Sequence, residues 1–158
     1  GHNGGTLSAV ELSQQKENSV IAQKKIRVFP QIAEILADVK KFHKKTGMVT
    51  GSNKMLVDSV IPAEMLARFA VIVTADEVKN GKPAPDPYLH AAEKLQLATQ
   101  QCLVVENAPM GIRAAKAAGM PVVAITTTLP AEHVQQADWV VENFQELRTL
   151  LSGKLAIL

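Results

Sequence analysis

The chain has 158 residues, of which 47% are hydrophobic and 20% are charged, and its formal net charge is +2. This size and composition are typical of one globular domain with a substantial core, and so small a charge gives no indication of nucleic-acid binding. A single cysteine, Cys102, excludes an internal disulfide framework, and no apolar run reaches the ~20 residues of a membrane-spanning helix. We therefore expect a cytoplasmic protein without nucleic-acid or membrane partners.

The N-terminal segment, residues 6–26, has apolar positions among Gln, Glu and Lys and no strong turn signal, which predicts a helix. Phe29 and Pro30 interrupt this pattern, and Pro30 can open the next helix at its first turn. We accordingly divide the chain into residues 1–27, a domain over residues 28–152 and a loosely packed tail over residues 153–158.

From Pro30 onward, helical and strand patterns alternate. Strands alternating with helices of about ten residues are typical of right-handed βαβ units in a parallel sheet, and continuously apolar strands fit a sheet covered on both faces. The sequence thus predicts an α/β fold of three layers, Rossmann-like in topology. The helices are predicted over 31–45, 53–66 with a break at Pro62, 87–97 with Asp86 as N-cap, 109–118, 130–136 and 144–151, and the strands over 47–50, 69–74, 102–105, 121–125 and 138–141.

Two polar segments directly follow or end predicted strands, where ligands bind in open α/β sheets. The run Thr50-Gly51-Ser52-Asn53 opens a helix. Its hydroxyls, its glycine and free N–H groups at a helix start would cradle a phosphate, although such a run also caps a helix without any ligand. Glu106 and Asn107 offer carboxylate and amide oxygens that suit Mg²⁺, although Asn107 can instead cap the helix that begins near Pro109.

Lys82 lies in the loop Asn80-Gly81-Lys82-Pro83-Ala84-Pro85-Asp86-Pro87, whose three prolines restrict the backbone just before a helix. A rigid loop can aim one ammonium group at a phosphate with little loss of conformational entropy. Together with the two polar segments, Lys82 predicts a phosphoryl-transfer site at the carboxyl end of the sheet.

In these residues the chain resembles the haloacid dehalogenase superfamily, and most closely its β-phosphoglucomutase-like sugar-phosphatase branch, over about residues 28 to 150. Thr50 matches the second motif of that family, Lys82 the third, Glu106-Asn107 the fourth, and Gly111–Gly119 the helix that follows it. The resemblance implies Mg²⁺-dependent phosphoryl transfer from a small phosphorylated metabolite, a sugar phosphate, to an aspartate. Thr50 and Lys82 would be catalytic, Thr50-Gly51-Ser52-Asn53 and Lys82 would bind the phosphate, and Glu106 and Asn107 would bind the metal.

The resemblance also implies what this chain lacks. No Asp-x-Asp motif is present, the first aspartate being Asp38, so the central first strand and its nucleophile are expected to be missing. Residues 1–27 would be the remainder of a helical cap, with Lys16 offering a cation to the substrate. The vacant slot would be filled by a companion N-terminal fragment or a strand-exchanged dimer, unless its two flanking strands pair directly or the chain is truncated.

Two functions stay open on this evidence. The first is a phosphatase or phosphomutase seen as an incomplete chain, inactive alone because the nucleophilic aspartate is absent. The second is a non-catalytic pseudoenzyme or subunit that binds a phosphorylated ligand or a partner. Asn107 stands where many family members have an aspartate, and the loss of one anionic oxygen is expected to weaken Mg²⁺ binding.

Overall fold

The computed structural model describes residues 7–10, 30–126, 130 and 134–157. Within these residues the strands are β1 (Leu7–Val10), β2 (Thr46–Val49), β3 (Val71–Val73), β4 (Cys102–Glu106), β5 (Val122–Ile125) and β6 (Trp139–Val141). They form a 6-stranded sheet of order β3-β2-β1-β4-β5-β6, in which all neighbouring strands are parallel. The predicted parallel α/β architecture is confirmed.

Helices cover both faces of the sheet. The helices are α1 (Pro30–Lys41), α2 (Lys54–Val60), α3 (Ala63–Leu66), α4 (Asp86–Leu95), α5 (Pro109–Ala117) and α6 (Phe144–Ile157), with short 3-10 turns at Ala75–Glu77 and Thr99–Gln101. Alternate residues of β4 point to opposite cores, since Val104 packs with α4 and α5 while Leu103 and Val105 pack with α1 and α6. This alternation produces the predicted three layers, and a further cluster packs α2 and α3 against α1.

The strand β1 overturns two predictions. Leu7–Val10 is not helical but occupies the centre of the sheet, with Ser8 opposite Thr46 of β2 and Val10 opposite Val105 of β4. The predicted vacancy between β2 and β4 is therefore filled by this chain itself. The physical reason is that β2 and β4 each present an edge of unpaired backbone N–H and C=O groups. Hydrogen bonding to both edges overrides the weak helical preference of the four residues.

No aspartate accompanies this central strand, because the sequence after Val10 continues Glu11-Leu12-Ser13. The rest of the predicted N-terminal helix, and with it Lys16 and the proposed cap, lies outside the described residues, as does most of the helix predicted over 130–136.

Several predicted boundaries are confirmed. Pro30 is the first residue of α1, Pro62 separates α2 from α3, and Gly119 takes a positive φ of 78° just after α5. One cap was misassigned, because Asp86 lies in the first turn of α4 and the N-cap position belongs to the preceding proline. Among the described residues, no helix is long and apolar enough to cross a membrane.

The last helix runs into the predicted tail. It begins at Phe144 and continues to Ile157, past the boundary placed at Gly153. Lys154 lies with its Nζ 4.1 Å from the centroid of the Trp139 ring on the edge strand β6. This cation–π contact joins α6 at Lys154 to the sheet edge.

Asp138 joins β5 to the start of β6. Its carboxylate accepts hydrogen bonds from the Val122 amide at 2.8 Å and from Lys116 Nζ at 3.0 Å. Partial burial opposes ionisation of Asp138, but these hydrogen bonds outweigh it and hold the pKa of the carboxyl below its ordinary value. Ionised Asp138 therefore stabilises the folded state at neutral pH.

Candidate functional site

Lys82 and Glu106 meet at the carboxyl end of the sheet, next to the start of the Thr50 loop. Lys82, from the loop between β3 and α4, donates from Nζ to Glu106 Oε1 at 3.0 Å and to the Val49 carbonyl at 3.4 Å. Val49 ends β2 and directly precedes Thr50, while Glu106 ends β4. One ammonium group thus spans the two strand ends that flank β1, and the structure brings Lys82, Glu106 and the start of the Thr50 loop together.

The Glu106 carboxylate is fully buried and accepts four hydrogen bonds. Oε1 accepts from Lys82 and, at 2.7 Å, from the Tyr88 hydroxyl, while Oε2 accepts from the amides of Asn107 at 3.0 Å and Ala108 at 3.1 Å. An ionised carboxylate has about four acceptor positions, so these donors use them all. In this arrangement Glu106 is the buried counter-ion of Lys82, and its contact to Mg²⁺ stays a prediction.

Gly111 provides the space in which this carboxylate lies. A Cβ atom at position 111 would be 1.9 Å from Glu106 Oε1 and 2.1 Å from its Cδ. The first turn of α5 can therefore pass over Glu106 only because residue 111 has no side chain. In the sequence Gly111 is recognisable only as part of the helix that resembles the family pattern, and this role is not apparent there.

Tyr88 was missed by the sequence analysis. It is completely buried in α4, its hydroxyl bonds Glu106, and its ring centroid is 5.1 Å from Lys82 Nζ. The signal that could have found it is a tyrosine six residues after the lysine, on a helix face that is otherwise apolar. A buried tyrosine hydroxyl usually has a hydrogen-bond partner, and here that partner is the site carboxylate.

Thr50 follows β2 and is nearly buried. Its amide donates to the Val73 carbonyl at 3.0 Å, which continues the pairing with β3, and its Oγ1 accepts from the Ser52 amide at 3.1 Å. The hydroxyl oxygen thereby shapes the loop, and the strand pairing fixes the backbone that carries it. Gly51 is exposed, and a Cβ there would meet no atom within 4 Å, so the glycine is not required by packing.

The start of α2 is capped from within the chain. Asn53 Oδ1 accepts from the Leu56 amide at 2.8 Å, and Asp76 Oδ2 accepts from the Lys54 amide at 2.7 Å. The expectation of free amides was therefore wrong for Lys54, Leu56 and Ser52. Asn53 has the N-cap role that such a residue takes without a ligand.

Asn107 does not cap α5, because Ala108 is the N-cap and makes no side-chain capping bond. Instead, Asn107 Oδ1 is buried without a hydrogen-bond partner, the one such side-chain atom found among the described residues. A buried acceptor without a partner is unfavourable by about 1–3 kcal/mol, so this oxygen suits a cation or a donor brought by a ligand.

A single neutral oxygen is only part of a magnesium site, since Mg²⁺ takes six oxygens and usually one or two carboxylates. Among residues 7–10, 30–126, 130 and 134–157, no group of three or more His, Cys, Asp or Glu side chains could hold a metal ion. Asn107 fits one position of such a site.

Comparison with known proteins relates this geometry to a family. Residues 8–125 match the family model described as haloacid dehalogenase-like hydrolase. The chain is 35% identical over 116 residues to validoxylamine A 7'-phosphate phosphatase of Streptomyces hygroscopicus subsp. limoneus, a match covering 73% of this chain and 54% of that protein. It is 32% identical over 122 residues to hexitol phosphatase A of Escherichia coli, covering 77% and 56%.

The fold is similar to a crystal structure of β-phosphoglucomutase from Clostridium difficile, with a TM-score of 0.68 and 27% identity over 81% of this chain and 56% of that one. The chain thus spans about half the length of the curated relatives it matches.

Proposed function

The chain belongs to the haloacid dehalogenase-like hydrolase family, in the branch similar to β-phosphoglucomutase, and on this premise we propose that it is the phosphoryl-binding part of a Mg²⁺-dependent phosphatase or phosphomutase. The substrate would be a small phosphorylated metabolite of the sugar-phosphate type. Relatives named as phosphatases of validoxylamine 7'-phosphate and of hexitol phosphates support this class.

One observation carries the proposal: the Lys82 ammonium is fixed by a buried carboxylate at the strand ends, beside Thr50. A fixed cation stabilises the charge on phosphoryl oxygens without having to reorganise when the ligand arrives. Thr50 would hydrogen-bond the transferred group, and the exposed backbone of the loop from Gly51 to Asn53 would border it. Lys16, outside the described residues, is proposed to contact the rest of the substrate.

In this proposal the metal contacts one side chain of the site, where the resemblance implied two. Asn107 Oδ1 would contribute one oxygen, and Glu106 would act on the site through Lys82 instead of through the metal. When bound, Mg²⁺ supplies further positive charge to the phosphoryl oxygens. Since Asn107 is neutral, we expect weak magnesium affinity in this chain alone.

Turnover requires a nucleophile that this sequence does not place after its central strand. In the family mechanism the phosphoryl group passes to an aspartate, yet no aspartate precedes Asp38. We therefore propose that the 158-residue chain binds phosphate esters but does not hydrolyse them. The same observation favours the second candidate, a non-catalytic phospholigand-binding protein, and the two share the same binding site.

The experiment compares ligand binding and phosphate release in matched variants. Lys82→Met combined with Glu106→Gln removes both charges of the buried pair, so no unpaired charge is left. Lys79→Ala is the control, because it removes an exposed lysine from the same loop. Titration calorimetry with inorganic phosphate and hexose phosphates should show affinity about 10- to 100-fold weaker in the double variant, as loss of a charged hydrogen bond implies.

The control should bind like the unaltered chain, and none of the proteins should release phosphate, with or without Mg²⁺. Equal affinity in the double variant would remove the basis for the phosphoryl site. Hydrolysis by the unaltered chain would show that a nucleophile other than an early aspartate operates, and would refute the proposed inactivity.

A further inference from the structure

Tyr88 contacts both members of the buried ion pair. Its hydroxyl donates to the same Glu106 oxygen, Oε1, that accepts from Lys82, and its ring lies beside the Lys82 ammonium. Tyr88 sits near the start of α4, a few residues after Lys82, so one rigid stretch of chain carries both side chains. The arrangement is a triangle of ammonium, carboxylate and phenol in which each group touches the other two.

We propose that Tyr88 is a positioning residue that sets where the Lys82 ammonium is presented to a phosphorylated ligand, an inference that rests on the proposed phosphoryl-binding role of Lys82. The hydroxyl fixes the orientation of the carboxylate and takes up part of its negative charge. Without it, Glu106 Oε1 has Lys82 as its one side-chain donor, draws the ammonium towards itself and neutralises more of its charge. The ring face attracts the ammonium from a second direction and limits its movement.

Core packing alone does not account for this residue. The Tyr88 ring belongs to the apolar cluster that includes Val49, Val73 and Ala91, and a phenylalanine would fill that space equally well. Burying a hydroxyl is unfavourable unless it is hydrogen-bonded. The hydroxyl is therefore explained by the carboxylate it bonds, and through that carboxylate by Lys82.

The test separates positioning from packing with two variants of α4. Tyr88→Phe removes only the hydroxyl, whereas Leu95→Val removes one methylene from a buried residue of the same cluster, about two turns further along the same helix. Inorganic phosphate and a hexose phosphate are titrated against both variants and the unaltered chain. We expect Tyr88→Phe to weaken binding about 3- to 10-fold, the range for one hydrogen bond, and Leu95→Val to leave it unchanged.

A second readout does not depend on ligand. The unfolding equilibrium constant is measured for Tyr88→Phe, Lys82→Met and the pair, with Lys82→Gln taking the place of Lys82→Met should the latter not fold. Both side chains donate to one buried oxygen, so either donor alone partly satisfies it. The double variant should therefore raise the unfolding equilibrium constant by a factor about 5-fold or more above the product of the two single-variant factors. If the two substitutions were independent packing changes, their factors on the unfolding equilibrium constant would simply multiply.

The outcomes are distinct. Unchanged phosphate affinity in Tyr88→Phe, or equal weakening in Leu95→Val, would overturn the inference, and so would independent effects in the unfolding cycle. If the unaltered chain binds no phosphate at all, the proposed function fails and this inference fails with it, whereas unchanged affinity in Tyr88→Phe of a chain that does bind phosphate overturns the inference alone.

Discussion

Gly111→Ala should destabilise the fold although it places the better helix former in a helix. The new Cβ would lie within 2.5 Å of all three terminal atoms of Glu106. That carboxylate cannot turn aside, because it is fully buried and all its acceptor positions are used. Either α5 moves away from its packed position or Glu106 loses hydrogen-bond donors. The cost of overpacking and of a lost charged hydrogen bond exceeds the gain in helix propensity, so the free energy of unfolding should fall by about 3 kcal/mol.

Gly153→Ala is the matched control. Gly153 also lies inside a helix, α6, but a Cβ there would meet no atom within 4 Å. Urea denaturation followed by circular dichroism should show this variant stabilised by about 0.5–1 kcal/mol, opposite in sign to Gly111→Ala. If Gly111→Ala were as stable as the unaltered chain, the close packing of α5 on Glu106 would be wrong. Of these two variants, only Gly111→Ala should also bind phosphate more weakly.

The remaining predictions concern charge and the metal. Lys82→Met should destabilise the fold by about 3–5 kcal/mol in urea denaturation because it leaves a buried carboxylate unpaired, and adding Glu106→Gln should recover most of the loss. Since the pKa of Asp138 is lowered in the folded state, its contribution is present above the unfolded pKa of about 3.9 and lost as the pH falls through the folded value; Asp138→Asn should therefore flatten the acid side of the stability profile, and an unchanged slope would contradict this. Asn107→Ala should not lower stability without metal, because Oδ1 has no partner to lose, but it should abolish any magnesium-induced rise in melting temperature; a rise equal to that of the unaltered chain would exclude Asn107 as a ligand.

From Pro30 to the start of α6 the sequence predicted nearly every described element. Buried parallel strands such as Cys102–Glu106 are short continuous apolar runs, and the helices between them are amphipathic, so both leave a local signal. The strand Leu7–Val10 left none that could be separated from the helical pattern around it. Its conformation is decided by pairing with two strands that are distant in sequence, which no local pattern encodes.

For the candidate site, the sequence likewise indicated which residues take part but not what each one contacts. Thr50, Lys82, Glu106 and Asn107 could be proposed because each lies at or beyond a predicted strand end, where polar residues in open α/β sheets meet. Their roles could not be assigned, since the number of donors around Glu106 depends on which side chains reach it in three dimensions. Tyr88 follows the periodicity of a core position and carries no sign of its polar contact.

The placement of β1 also has a consequence for how this protein acquires its structure. The sheet consists of β2 with β3 on one side and β4 to β6 on the other, and β1 is the strand that pairs with both sides. The pairing of Val10 with Val105 closes a loop of most of the chain, which is entropically expensive and slow to form. We therefore expect the two halves to assemble first and the insertion of four N-terminal residues to be the late event that makes unfolding cooperative. Mutations at Ser8 or Ala9 would then change the folding rate little and accelerate unfolding, because late-forming contacts act mainly on the unfolding rate.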